Sequence, residues 1–235
     1  MSIAENIARV LERMAAAAGR AGRDPASTQL MAVSKLVAPE PILEAHQAGL
    51  RLFGENRVQE FTAKAAAVRP LPRIEWRLIG HLQSNKAARA AELFHGVDSL
   101  DSLRLAEKLD AAAQKLGRTL PVLIEVNLGG EAAKSGMAPD SPELEQLLLA
   151  APLLQALQVR GLMAIPPFTA DPEDVRPYFR RLRELRDAIA LRRMPGITME
   201  VLSMGMSHDF EVAIEEGSTC VRLGTAIFGE RPSAR

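Results

Sequence analysis

The sequence predicts a single (β/α)₈ barrel, a TIM-type α/β fold. Three observations carry this. Short apolar runs alternate with longer helical patterns, and eight such runs occur within 235 residues. Runs such as VLIEV (122–126) and GLMAI (161–165) are apolar almost throughout, as are strands of a parallel sheet covered on both faces. The first run ends in Val33-Ser34-Lys35-Leu36, without the glycine-rich turn expected of the competing architecture, an open doubly wound sheet.

The elements follow in order. Ile3, Ile7, Val10, Leu11 and Met14 fall at helical spacing, with Glu5, Arg9, Glu12 and Arg13 on other faces. This predicts an N-terminal helix over about 2–20, stopped by Gly22 and Asp24-Pro25. Strands are predicted at 29–35, 51–55, 75–80, 96–99, 121–127, 159–165, 198–203 and 219–225. Helices are predicted between them at 39–48, 57–68, 85–94, 101–116, 142–150 and 173–191, with a shorter one near 209–215. No linker-like or low-complexity stretch interrupts the series, so residues 1–235 read as one domain. The longest connection is 128–141, which holds Gly129, Gly130 and Gly136.

Composition excludes several classes of function. Lys plus Arg and Asp plus Glu both number 29, and this balance argues against a general nucleic-acid or membrane-surface binder. No apolar run is long enough to span a bilayer, and the charged amphipathic N-terminus is unlike a signal peptide. The one cysteine, Cys220, excludes an internal disulfide and a cysteine-based zinc cage, and it predicts a cytoplasmic protein. His46, His81, His95 and His208 show no metal-ligand spacing, so no metal site is expected.

In such a barrel the chemistry sits at the C-terminal ends of the strands. Lysine is scarce here, 6 residues against 23 arginines, yet Lys35 closes the apolar run LMAVSK. A lysine stem that covers the rim while its head reaches water is the commoner role. A lysine deprotonated by burial instead condenses with an aldehyde to an imine. The ends of the seventh and eighth strands bear on that choice. Barrels commonly hold phosphate there on backbone amides. Ser203-Met204-Gly205-Met206-Ser207 offers two hydroxyls and a glycine, and Gly224-Thr225 offers a second glycine and a third hydroxyl. Arg222, between Val221 and Leu223, points either into the barrel or out towards a helix, and periodicity does not choose. His81 at the third strand is equally open, a structural histidine being the commoner case. A lysine at the first strand and a phosphate cradle at the last two suggest pyridoxal 5′-phosphate (PLP), with Arg222 placed to meet the pyridine nitrogen.

The chain also resembles a known family. The stretches AVSK (32–35), FGENRVQE (53–60), EWRLIGHLQSNK (75–86), VDSL (97–100), IEVNLGGEAAKSG (124–136), RGLMAIPP (160–167), LSMGMSHDFEVAI (202–214) and STCVRLGTAIFGER (218–231) run nearly end to end. Together they are similar to the pyridoxal phosphate homeostasis proteins, also called the YggS or proline synthase co-transcribed family. The resemblance implies a barrel like the N-terminal domain of alanine racemase, with PLP held as an imine on Lys35. It implies that Asn56 lies by the cofactor and that Arg222 meets the pyridine nitrogen. Ser203, Gly224 and Thr225 match the phosphate positions. His81, Met204 and Ser207 complete the expected cofactor-binding set. The resemblance further implies a role in control of free vitamin B6, without a defined reaction. Two departures from the family pattern, Arg57 for a common Tyr and His208 for a common Asp, fall near the expected mouth.

The residues themselves favour a carrier over an enzyme. A two-base racemase needs an acid–base group opposite its lysine, and the one tyrosine, Tyr178, falls in the helical stretch after strand six. Arginine does not readily give up its proton, so Arg222 would leave the pyridine ring a poor electron sink. The expectation is a monomeric PLP-binding protein that buffers the cofactor or delivers it to apo-enzymes. The alternative is a weak PLP-dependent amino-acid racemase. The connection 128–141 is read as a mobile lid, with Lys134 assisting release of the cofactor.

Overall fold

The computed structural model describes residues 1–131 and 135–230. Strands β1 (Gln29–Val33), β2 (Leu52–Glu55), β3 (Glu75–Leu78), β4 (Gly96–Leu100), β5 (Leu120–Val126), β6 (Leu157–Ala164), β7 (Ile197–Ser203) and β8 (Cys220–Leu223) form one closed barrel in chain order. All pairings are parallel, and closure sets Met31 of β1 opposite Arg222 of β8. Helices α1 (Ile3–Arg20), α2 (Pro39–Gln47), α3 (Val58–Val68), α4 (Ala87–Leu93), α5 (Leu103–Lys115), α6 (Pro142–Ala150), α7 (Arg176–Leu191), α8 (Phe210–Glu215) and α9 (Thr225–Phe228) surround it.

Local chemistry sets the helix starts. Ser2 accepts from the Glu5 amide while the Glu5 carboxylate accepts from the Ser2 amide, a reciprocal cap on α1. Ser102 and Ser141 cap α5 and α6 in one direction only, accepting from the Leu105 and Leu144 amides, and Pro142 presets the first turn of α6. Single 3₁₀ turns at Ser84–Lys86 and Pro172–Val175 lead into α4 and α7.

Strand alternation divides the apolar residues into two bodies. The larger lies between strands and helices. There Phe53 and Trp76, on adjacent strands, meet ring to ring at 5.1 Å, and Phe61 of α3 packs on Trp76 at 4.7 Å. Full burial of such side chains is worth about 1.5–3 kcal/mol each. The smaller body, Met31, Val33, Ile79 and Cys220, fills the barrel itself. Polar groups share that interior. Arg77 of β3 is buried and donates through Nε to Asp98 of β4 at 2.9 Å. Helix α1 packs on the outside of the ring against α2, α8 and α9, and its Asn6 side chain donates to the Ile227 carbonyl of α9 at 2.9 Å.

All eight expected strands are present, with bounds that differ by up to two residues; β3 stops at Leu78 rather than Gly80, and two other ends bear on site residues. β1 stops at Val33, because Leu36 takes a left-handed backbone (φ 59°) and turns the chain at Ser34–Val37. β8 stops at Leu223, and Thr225, expected in the strand, opens the helical turn α9 instead. Among the described residues no helix is long and apolar enough to cross a membrane.

Candidate functional site

The C-terminal ends of the strands open into a cavity of about 420 Å³. Lys35 enters it from the turn after β1, Asn56 from β2, and Gly80 and His81 from β3. Glu125 enters from β5, Arg222 from β8, and Ser207, Gly224 and Thr225 from the last two loops. Of the residues expected from sequence, these seven side chains and glycine positions meet at one place: Lys35, Asn56, His81, Ser207, Arg222, Gly224 and Thr225.

The turn that carries Lys35 is gripped from α3. Lys64 donates to the carbonyls of Ser34 (2.7 Å) and Val37 (3.1 Å) and pairs with Glu55 at 2.8 Å. The Ser34 hydroxyl donates to Glu55, and the Leu36 amide donates to Glu60. Lys64 is 8% exposed and Glu55 is fully buried. Burial pushes the Glu55 carboxyl up from its ordinary value, against the pull of Lys64 and Ser34. The backbone of Lys35 is thus fixed on both sides by a buried ionic network.

Close approach sets Asn56 and the β7 loop. A Cβ on Gly80 would lie 2.3 Å from the Asn56 carbonyl oxygen, so only glycine lets the two strand ends converge there. Gly205 has φ +96°, and a Cβ on it would meet Ala213 Cβ at 2.6 Å, so the β7 loop folds directly onto α8. The Ser207 hydroxyl accepts from the Ala226 amide at 3.4 Å, joining the two loops at the cavity wall.

Arg222 points into the barrel, which decides the choice that alternation left open. It is 3% exposed, donates through one terminal nitrogen to Ser203 Oγ (2.8 Å) and through the other to the Ala164 carbonyl (2.9 Å). Burial lowers its pKa, and the nearby Cys220, Asp98, Asp209 and Glu125 oppose that shift. Ser203 is wholly buried beneath the cavity as a support for Arg222 and does not line it. Met204, one residue on, has the opposite facing and packs in the core between strands and helices.

The structure adds Glu125, which the sequence reading passed over. It is 4% exposed, lines the cavity, and accepts from Ser135 at 2.9 Å through Oε1, while Oε2 is buried without a partner among the described residues. Burial pushes its pKa up. A carboxyl at the end of the otherwise apolar VLIEV was the available signal. His81 meets Asp101 through Nδ1 at 2.9 Å. His208 also lines the cavity and lies against Phe168, whereas Arg57 does not reach it. Tyr178 packs on the core from α7, away from the cavity. The end of the β5 loop is clamped, with Met137 N donating to Glu125 O and Asn127 N to Met137 O, both at 2.9 Å. Lys134, on which the expectation of a lid rested, lies outside the described residues.

The family model for the alanine racemase N-terminal domain matches residues 3–232. The chain is 48% identical to the pyridoxal phosphate homeostasis protein of Aquifex aeolicus (strain VF5), over 98% of this chain and 99% of that one. The chain belongs to the pyridoxal phosphate homeostasis protein family. The family member of Escherichia coli (strain K12) is 43% identical, over 97% of each chain. PipY of Synechococcus elongatus PCC7942, solved with PLP bound, is 39% identical and superposes with a TM-score of 0.83, over 97% of this chain and 100% of that one. Alanine racemase from Streptomyces coelicolor A3(2) shares the fold at 22% identity and a TM-score of 0.70, and this homeostasis-family chain spans 59% of it.

Proposed function

We propose that this protein binds PLP covalently through Lys35 and buffers or delivers it to apo-enzymes, as a cytoplasmic monomer without efficient catalysis. The observation that carries the reading is the meeting of Lys35 and Arg222 in one cavity that Ser207, Gly224 and Thr225 also line. PLP presents an aldehyde, a pyridine nitrogen and a phosphate, and when bound it supplies an electrophilic carbon and an electron-accepting ring. The donor set fits it. Lys35 offers the amine for an imine, Arg222 a buried N–H donor for the ring nitrogen, and the last two loops hydroxyls and outward-facing amides for the phosphate. PLP bound to PipY supports the same reading.

The residues also account for a holding role. Arg222 retains its proton against a pyridine nitrogen, so the ring stays unprotonated and stabilises negative charge poorly. Asn56 and the clamped turn around Lys35 orient the cofactor, and the enclosing strand ends limit access of water. Reduction of the loaded protein with borohydride, followed by peptide mapping, tests the assignment. The label is expected on Lys35, and a label confined to Lys86 or Lys108 refutes it.

One observation supports a second reading, a weak PLP-dependent amino-acid racemase. His81, oriented by Asp101, lines the same cavity as Lys35 and offers a second acid–base group. Incubation with single amino-acid enantiomers separates the readings. Steady loss of optical rotation favours the racemase, and constant rotation favours the carrier.

A further inference from the structure

Beside the Lys35 cavity lies a second one of about 400 Å³, and His81 forms part of both walls. The second cavity is basic. Arg57, His81 and Lys86 line it together with the side-chain amides of Gln59 and Gln83, and no carboxylate does. Asp101 is the acid nearest in the hydrogen-bond network, and it is engaged by His81 Nδ1 and the Ser102 hydroxyl.

Arg57 and Lys86 have no ion-pair or side-chain hydrogen-bond partner among the described residues. Many surface arginines are paired, although Arg73, Arg104 and Arg193 also lack a partner among the described residues. Arg13, Arg20, Arg89, Arg160, Arg176 and Arg192 each meet a carboxylate within 3.0 Å. The backbone adds to the same sign. Arg57 enters α3 in an extended conformation and supplies no side-chain cap, so the first amides of α3, next to Val58 and Gln59 in the cavity wall, keep their outward dipole. Uncompensated positive charge in a concave site of this size suits a small anion. An extended polyanion would need a longer basic track and stacking rings, and the wall has neither.

We propose that this second cavity is an oxyanion site, formed by Arg57, His81 and Lys86, that takes a small carboxylate or phosphate. Its position across His81 from the Lys35 cavity lets an anion bound there act on whatever occupies the first. The site stands on its own charges and does not depend on the PLP reading. Arg57 also accounts for one of the two departures from the family pattern, since a tyrosine at that position would bring no charge.

The test is a titration of the ¹⁵N-labelled protein at low ionic strength with inorganic phosphate and, separately, with acetate. Saturable shifts are expected at the amides of Val58, Gln59 and Lys86. Arg57→Ala is expected to weaken them about three- to fivefold, the range of an exposed ion pair, and Lys86→Met to weaken them similarly. Saturation by phosphate alone assigns a phosphate ligand, and saturation by acetate assigns a carboxylate. The absence of saturable shifts at these amides overturns the proposal, as do shifts that persist unchanged in the Arg57→Ala/Lys86→Met double variant. Amide shifts at Ser207, Gly224 and Thr225 report the first cavity, so the two sites are read separately in one spectrum.

Discussion

Replacing Lys64 by methionine tests how the reactive lysine is held. The substitution keeps the length of the side chain and removes its charge, leaving Glu55 buried without its partner at 2.8 Å. Breaking one side of a buried ion pair typically costs about 3–5 kcal/mol. A second route to the magnitude bounds the same cost. Glu55 can escape by taking a proton, which at pH 7 costs at most about 3.7 kcal/mol from an ordinary value near 4.3, at about 1.36 kcal/mol per pH unit. Burial already raises the Glu55 pKa, so the true cost of protonation is lower. The lost bonds to the Ser34 and Val37 carbonyls add about 1 kcal/mol each. A net loss of about 3–4 kcal/mol is therefore expected in urea unfolding at pH 7. The deficit should shrink towards pH 4–5, where Glu55 protonates without help. Adding Glu55→Gln should recover part of it, because the stranded charge is gone. The turn would also relax, so capture of PLP, followed by imine absorbance, should slow at matched stability. A Lys64→Met protein within about 0.5 kcal/mol of the parent, with an unchanged capture rate, would show that the network neither supports the fold nor positions Lys35.

Two further perturbations address other parts of the cavity. Gly224→Val should weaken PLP binding by about tenfold or more while affecting pyridoxal much less, since the side chain blocks backbone approach to the phosphate; equal weakening in absorbance titrations would place the phosphate elsewhere. Glu125→Gln should stabilise the protein at pH 8. The folded state holds the Glu125 proton more tightly than the unfolded state, so ionisation costs stability as pH rises from the unfolded towards the folded pKa. The gain should vanish below about pH 4, where both states are protonated, and a pH-independent gain in thermal unfolding would contradict this account.

The parts of the molecule legible in sequence are those governed locally. Ser141-Pro142 caps and presets α6, and its observed range matches the expected one at both ends. The succession of short apolar runs located every strand because most of them are buried on both faces, β7 with its exposed Thr198 and Glu200 being the exception. What escaped depends on contacts remote in sequence. LMAVSK reads as strand through Lys35, and only Glu60 and Lys64, on α3, show why the chain turns at Leu36. Alternation separates Arg222 from its neighbours but cannot say which face is the interior, and that follows from pairing with Met31 and from the bond to Ser203. The same period-two rule separates Ser203 from Met204, and grouping both into one cradle overlooked it. The end of β8 was missed because a single apolar helical turn after a strand has no periodicity of its own.

Cys220 gives the barrel a built-in clock. It is the one cysteine in the chain, 3% exposed in the apolar cluster inside the barrel, near Arg77 and Arg222, and burial pushes its thiol up to about 12. Thiolate, not thiol, attacks alkylating reagents, and the reagent needs a path to the sulfur. Neither is present while the eight strands stay closed. The pace at which a thiol reagent consumes this sulfur therefore counts openings of the ring itself, undisturbed by fraying of outer helices or movement of loops at the mouth. Any ligand that tightens the closed ring slows the count, whichever of the strand ends it touches.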